Sequence, residues 1–137
     1  MASAPAAAAA AQTPLLHEFE RALAATGLTS RLNSARAITI FAPDNAAFRA
    51  LGPGNLSTLN ASKPDLARVL EDHIVSGRIS PADLASRRRL ATLRGTVIVP
   101  AKTAGGYRVN NAGVVCGNIQ TANATIYIVN KVLVALP

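Results

Sequence analysis

The sequence is poor in the residues that carry most redox, metal and aromatic-stacking chemistry. Its 137 residues include one cysteine, two histidines and no tryptophan. Cys116 has no partner for an intrachain disulfide, and two histidines without a cysteine cluster match no familiar zinc pattern. We therefore predict no metal, no cofactor and no internal disulfide. The apolar neighbours of Cys116 favour a buried, inert thiol, with pairing to another molecule as the alternative.

Acidic charge and long apolar runs are also scarce. No stretch has the length and apolar character of a membrane span, so none is predicted. The chain has seven acidic and fourteen basic residues, which gives a formal net charge of +7. Such a balance favours an anionic partner, such as an acidic polysaccharide, a phosphate polymer or an anionic membrane surface, or simply maintains solubility. The sign of the charge does not choose among these.

The length fits one domain with a single fold. Residues 1–12 are almost all alanine and are interpreted as a disordered tail, the remnant of an export segment or a linker. The domain is predicted over residues 13–137. Aromatic residues are few, so leucine, isoleucine and valine must form most of its core.

The first half of the domain has mainly helical patterns. Thr13-Pro14 predicts a helix start and Gly27 a helix end, with a second short helix over Leu28–Asn33. Two further helices are predicted, one from Pro64 with Ile74 on its apolar side, and one capped by the sequence Ser80-Pro81-Ala82-Asp83.

One strand interrupts these helices. Ala37–Ala42 is apolar and β-branched, and Asp44 follows it as the expected cap of a short helix that buries Phe48. After Arg89 only strands are predicted, and the candidates are 90–93, 96–99, 107–109, 114–116 and, as the longest, 126–134. Helix-rich sequence followed by strand-rich sequence indicates an α+β fold.

Three segments, in this order, resemble the fasciclin (FAS1) domain family. Thr39–Phe48 resembles the first signature block, Leu70–Gly77 the central histidine block, and Ala122–Val134 the closing block. Leu93-Arg-Gly95 and the stretch Tyr107–Val115 are similar to the family's intervening strand entry and hairpin. The span Val109–Leu133 is especially similar to fasciclin proteins secreted by mycobacteria, and the resemblance covers about residues 13–136.

The resemblance implies a wedge of β-strands packed against several helices. It also implies a secreted or cell-surface adhesion module that is not an enzyme and that binds an extracellular or surface protein or polysaccharide. We expect a monomer or a weak oligomer. In this reading Asn123 occupies a turn, because asparagine tolerates left-handed backbone geometry.

The family's adhesion motifs match this chain only partly. Asn118 and Ile119 occupy the positions of an Asp-Ile pair linked to integrin binding in animal members, and Asp72 and His73 occupy those of a Tyr-His pair. Both pairs depart from the pattern, which argues against integrin binding. We treat all four as candidate contacts, while His73 between apolar neighbours favours a hydrogen-bonded structural histidine.

An alternative function rests on Arg87, Arg88 and Arg89, with Arg78 and Arg94 nearby. Adjacent guanidinium groups can hold sulfate, phosphate or uronate groups, although a solvated loop explains the same residues. No aromatic residues interleave with them, which argues against nucleic acid. Catalytic glycine-rich and serine-elbow motifs are missing, so the remaining enzyme hypothesis is a site on His73, with or without Cys116.

Overall fold

A computed structural model describes residues 16–34, 37–50, 61, 63–86, 89–93, 95–103, 106–110, 112–121 and 123–132. Helices lie mainly in the first half of the chain and strands in the second, which confirms the α+β prediction. In chain order the elements are α1 His17–Thr26, α2 Leu28–Ser34, β1 Ile38–Pro43, α3 Asn45–Arg49, α4 Lys63–Glu71, β2 Ile74–Ser76, α5 Pro81–Ser86, β3 Leu90–Ala91, β4 Val97–Ile98, β5 Pro100–Thr103, β6 Gly106–Val109, β7 Ala112–Gln120 and β8 Ala124–Val129. Within these ranges no helix combines the length and the hydrophobicity needed to cross a membrane.

Six strands form one sheet in the order β2-β1-β8-β7-β6-β5, and β3 pairs with β4 separately. All pairs are antiparallel except β1 with β8, which run parallel from Ile38 opposite Ala124 to Pro43 opposite Val129. Every residue of both strands is buried. Burial on both faces is typical of parallel strands, and it explains why these two segments are almost continuously apolar.

The parallel pair separates two hydrophobic clusters. Side chains such as Ile40 and Ile126 point to one face and pack against helices α1 to α4. Phe41, Tyr127 and Val129 point to the other face, towards α5 and the strands β3 to β6. The rings of Phe41 and Tyr127 stack there with centroids 5.5 Å apart. The sheet therefore has a helical layer on one side and a second, smaller layer on the other.

Two neighbouring residues after β1 each cap a different helix. The Asp44 carboxylate accepts a hydrogen bond of 2.7 Å from the Ala47 amide, which confirms the predicted cap of α3. The Asn45 side chain instead accepts a bond of 2.9 Å from the Glu18 amide in the first turn of α1. This second cap joins helices that are distant in the chain, so local sequence does not predict it.

The other helix ends agree with the sequence where they are described. Gly27 ends α1 in the left-handed conformation, with φ of 73°. Ser80 and Asp83 exchange side-chain bonds with each other's amides at the start of α5. The predicted start at Thr13-Pro14 lies outside the described residues.

Three strand predictions need correction. The strand predicted over 126–134 ends at Val129, because its partner β1 ends opposite it at Pro43 and the chain there turns into α3. The longest described strand is β7, of which only the segment 114–116 was predicted. Ile74 belongs to β2 and not to the preceding helix, since α4 ends at Glu71 and Ile74 pairs with Ile40.

Asn123 lies at the turn before β8, but for a different reason than the one predicted. Among the described non-glycine residues only Asn110 has a positive φ, so Asn123 does not use left-handed geometry. Its buried side-chain amide donates a hydrogen bond of 2.7 Å to the Leu32 carbonyl at the end of α2. The side chain therefore ties the start of β8 to the helical layer.

Asn123→Ala should lower the free energy of unfolding by about 1–3 kcal/mol, because it leaves the buried Leu32 carbonyl without this donor. Asn130→Ala is the matched control, since Asn130 accepts an exposed bond from the Gly113 amide. Urea unfolding at neutral pH measures both variants. Equal losses in the two would contradict the role assigned to Asn123.

Candidate interaction surface

His73 lies in the interior, with 0% of its surface exposed. Its Nδ1 is 2.7 Å from the Val69 carbonyl oxygen, so Nδ1 carries the proton and donates to that oxygen. Burial lowers the pKa of His73 to about 4, and this outweighs the opposing effects of the Val69 bond and the Asp72 charge. The prediction of a hydrogen-bonded structural histidine is confirmed, and the enclosed ring is out of reach of a partner or substrate.

Asp72 contacts the β3–β4 hairpin. It is half-buried, and its carboxylate accepts a hydrogen bond of 2.7 Å from the Thr96 hydroxyl. That hydroxyl also lies 2.6 Å from the Thr92 hydroxyl. Asp72 thus holds the small hairpin against the end of α4, and the Asp72-His73 pair forms no common surface site.

Asn118 and Ile119 lie in an irregular part of β7. Pairing with β8 shifts by one residue between Val114 and Cys116 and again between Cys116 and Ile119, so β7 contains two bulges. Bulges bend a strand and re-aim its side chains. Ile119 is half-buried against the helical cluster, whereas the side chains of Asn118 and Cys116 lie outside the described residues.

Arg78 lies against the turn between β7 and β8. Its Nη1 donates to the Gln120 side-chain oxygen at 2.7 Å and to the Ala124 carbonyl at 2.9 Å. Its Nη2 donates to the Thr121 carbonyl at 2.9 Å. Sequence reasoning grouped Arg78 with the nearby arginines, whereas the structure gives it a fixed place beside the end of β7.

The arginine cluster is described only at its last residue. Arg87, Arg88 and Arg94 lie outside the described residues. Arg89 is exposed, and it has no ion pair within the described part of the chain. The ion pairs there join Arg21 to Glu18, Arg31 to Glu71 and Arg68 to Asp65.

The described ranges contain no cluster of metal-binding side chains, and the groove on their helical layer is not lined by His73. No group of three histidine, cysteine or acidic side chains there could hold a metal ion. A groove of about 340 Å³ opens on the helical layer, but His73 does not line it. It is bounded by Glu18, Glu20, Arg21, Ala22, Ala24, Ala25, Phe48 and Leu66. No histidine, cysteine or serine is among these lining residues.

Comparison with known proteins agrees with this architecture. The family model described as Fasciclin domain matches residues 14–135. The chain belongs to the fasciclin domain family. This result confirms the resemblance drawn from the three sequence segments. Two of those segments contain the paired strands β1 and β8, so their residues are mainly structural.

Two mycobacterial relatives cover nearly all of this fasciclin domain. The chain is 36% identical over 138 residues to the immunogenic protein MPB70 of Mycobacterium bovis, an alignment that covers 97% of this chain and 70% of that protein. It is 35% identical to the cell surface glycolipoprotein MPB83 of the same species, covering 97% of this chain and 61% of the relative. These matches confirm the similarity to mycobacterial secreted and surface fasciclin proteins.

A solved structure shows the same fold at low sequence identity. It is a FAS1 domain pair from the insect cell adhesion molecule Fasciclin I, with a TM-score of 0.84 and 16% identity. The match covers 97% of this chain and 51% of the insect chain. At this identity the likeness concerns the fold alone, and this chain spans about half of the insect pair.

The buried His73 should make the stability of the domain depend on pH. Because its pKa falls from 6.5 to about 4 on folding, the unfolded chain binds more protons between these values, and stability decreases as the pH falls through this window. The expected loss between pH 7.5 and pH 5 is about 2 kcal/mol from this residue.

Urea unfolding across this range, with His73→Gln against His17→Gln, tests the pH effect. His17 is exposed, so its replacement is the matched control. The His73 variant should be less stable at neutral pH, because the side chain is enclosed, but its stability should change less with pH. An undiminished pH dependence in this variant would rule out His73 as the source.

Proposed function

We propose that this fasciclin domain is a secreted or cell-surface interaction module that binds another macromolecule through exposed loops, without catalysis. The observation that carries the proposal is strand β7, which lies between β8 and β6 and whose two bulges and closing turn form an irregular surface on the sheet. Loops and irregular strands held by a rigid scaffold are the usual location of binding residues.

The surroundings of His73 and Asp72, the titratable residues of the central block, support an interaction role over an enzymatic site on these residues. His73 and Asp72 both serve the fold, the first through the Val69 carbonyl and the second through Thr96. An enzyme would need an accessible acid, base or nucleophile next to a cleft. Neither His73 nor Asp72 meets this requirement.

The names of the relatives support a location outside the cytoplasm. One mycobacterial relative is a cell surface glycolipoprotein, and the insect neighbour is a cell adhesion molecule. By analogy, we propose that the partner is an extracellular or surface protein or a polysaccharide. The fold could carry other functions, so the partner must be identified by binding.

Asn118 and Ile119 are the proposed contact, because they lie in the bulged part of β7. Ile119 also packs on the core, so Asn118 is the better residue to change. Asn118→Arg should weaken saturable binding to a macromolecule from the extracellular fraction by about tenfold or more, as for a residue central to an interface. Surface plasmon resonance on the purified partner measures the change.

Asn130→Arg is the matched control for this contact, since Asn130 is an exposed asparagine just after β8, beside Gly113 near the start of β7. It should leave the affinity nearly unchanged. Equal affinity for both variants and the parent chain would contradict the contact at Asn118. Retention that disappears at high salt would instead indicate general charge attraction.

A second candidate function is polyanion binding through Arg87, Arg88 and Arg89. It is favoured by the exposure of Arg89 and by its lack of an ion pair within the described residues. A cationic cluster that binds a polyanion releases counterions, so affinity should fall steeply with salt. The triple variant Arg87→Ala, Arg88→Ala, Arg89→Ala should elute from immobilised heparin at lower salt than the parent chain.

The control for this second function removes the same charge elsewhere. Arg21, Arg31 and Arg68 are exposed but paired with carboxylates, so their triple alanine variant matches the cluster variant in net charge. Elution of the cluster variant well before this control supports a local site. Coincident elution would mean that net charge alone governs retention.

A further inference from the structure

Arg78 is held at both its backbone and its side chain. The Thr39 hydroxyl donates to the Gly77 carbonyl and accepts from the Ile79 amide, each at 2.7 Å. The buried Tyr127 hydroxyl donates to the Ile79 carbonyl at 2.6 Å. The residues on both sides of Arg78 are thus fixed to the central strands, and its guanidinium is fixed to the turn after β7.

The three acceptors that position this guanidinium are neutral. They are the side-chain amide of Gln120 and the carbonyls of Thr121 and Ala124. Gln120 also accepts a bond of 3.2 Å from the uncharged Thr125 hydroxyl. None of the ion pairs in the described residues includes Arg78. The site therefore carries an ordered positive charge that no carboxylate of residues 16–132, as far as the structure describes them, offsets within ion-pair distance.

The hydrogen-bond donors of Arg78 are only partly used. A guanidinium carries one hydrogen on Nε and two on each Nη. Here Nη1 makes two bonds and Nη2 makes one, which leaves the Nε hydrogen and one Nη2 hydrogen. On a guanidinium, the Nε hydrogen and the Nη2 hydrogen on the same side lie along one edge, with the spacing that suits the two oxygens of a carboxylate. Arg78 is exposed, so a partner can reach it.

We propose that Arg78 is a preorganised receptor for a single carboxylate on an acidic side chain of a protein partner. The proposal deepens the interaction function proposed above and rests on it for the partner being a macromolecule. A protein carboxylate fits better than a polyanion, because polyanion affinity comes from a row of cations. Here Arg78 is a single cation, and the polar groups that contact it are neutral.

A titration of the full chain with N-acetyl-aspartate amide tests the site. With ¹⁵N-labelled protein at constant ionic strength, the amide resonances of Arg78, Gln120 and Thr121 should shift in a saturable way, with a dissociation constant on the order of millimolar. Arg78→Lys keeps the charge but lacks the planar guanidinium that donates two parallel hydrogen bonds, so it should bind the probe at least about fivefold more weakly. Arg108→Gln is the control, since it removes an exposed arginine on β6.

Further variants separate recognition from folding. Gln120→Ala keeps the net charge and removes one hydrogen bond that holds the guanidinium. It should therefore weaken binding of the probe while thermal unfolding stays cooperative. Unchanged probe binding in both Arg78→Lys and Gln120→Ala would overturn the proposal. Equal losses in Arg78→Lys and Arg108→Gln would overturn it too, because the loss of binding would then not be specific to the Arg78 guanidinium.

The nature of the partner is tested with a second probe. Arg78→Lys should weaken the binding of a sulfated oligosaccharide far less than it weakens the binding of the aspartate probe. An equal or greater loss of oligosaccharide affinity would overturn the choice of a protein carboxylate. Capture of a macromolecule through Asn118 is measured separately. Probe binding without any capture would refute the proposed function and leave the anion site standing, whereas capture without probe binding would refute only the site.

Discussion

The in-register parallel pairing of β1 with β8 is the interaction on which the rest of the structure depends. It joins segments that lie far apart in the chain, so a large loop must close before these two strands can pair with each other. Because both strands are buried on both faces, a slip of one residue would exchange the side chains of the two hydrophobic clusters. Isoleucines face the helices and aromatic rings face the smaller layer, which fixes the register.

The same strands also organise the polar parts of the molecule. Thr39 and Tyr127 lie on the face opposite the helices, where their hydroxyls bind the segment around Ile79. On the helical side, Asn123 at the entry to β8 binds the end of α2. Each of these bonds satisfies a backbone group that burial would otherwise leave without a partner. The signature segments of the fasciclin family are therefore mainly determinants of folding.

Much of this architecture could be predicted from the sequence, because many of its signals are local. The cap at Asp44, the left-handed end at Gly27 and the reciprocal bonds of Ser80 and Asp83 each depend on residues within one helical turn. The strand β1 could be predicted because burial on both faces leaves an apolar run. His73 among apolar residues was correctly interpreted as structural.

Other features depend on partners far away in the chain, and they escaped prediction for that reason. Asn45 caps a helix that precedes it by many residues, and the end of β8 is set by Pro43 on the neighbouring strand. The length of β7 was missed because glycines and bulges break the alternation that identifies a strand. Asn118 and Ile119 remain candidate contacts proposed from the sequence, which gave no sign of what holds Arg78.

The contrast between Arg78 and the three paired arginines shows why composition cannot locate recognition. Arg21, Arg31 and Arg68 are exposed and already paired with carboxylates, so an incoming anion must compete with an existing partner. Arg78 has the same side chain, but neutral carbonyl and amide oxygens position it without cancelling its charge. An anion there would meet a group whose conformational entropy has already been lost in folding. Thr39 and Tyr127 fix the backbone on both sides of Arg78. The recognition proposed for this surface therefore depends on the same parallel strands that hold the two clusters together.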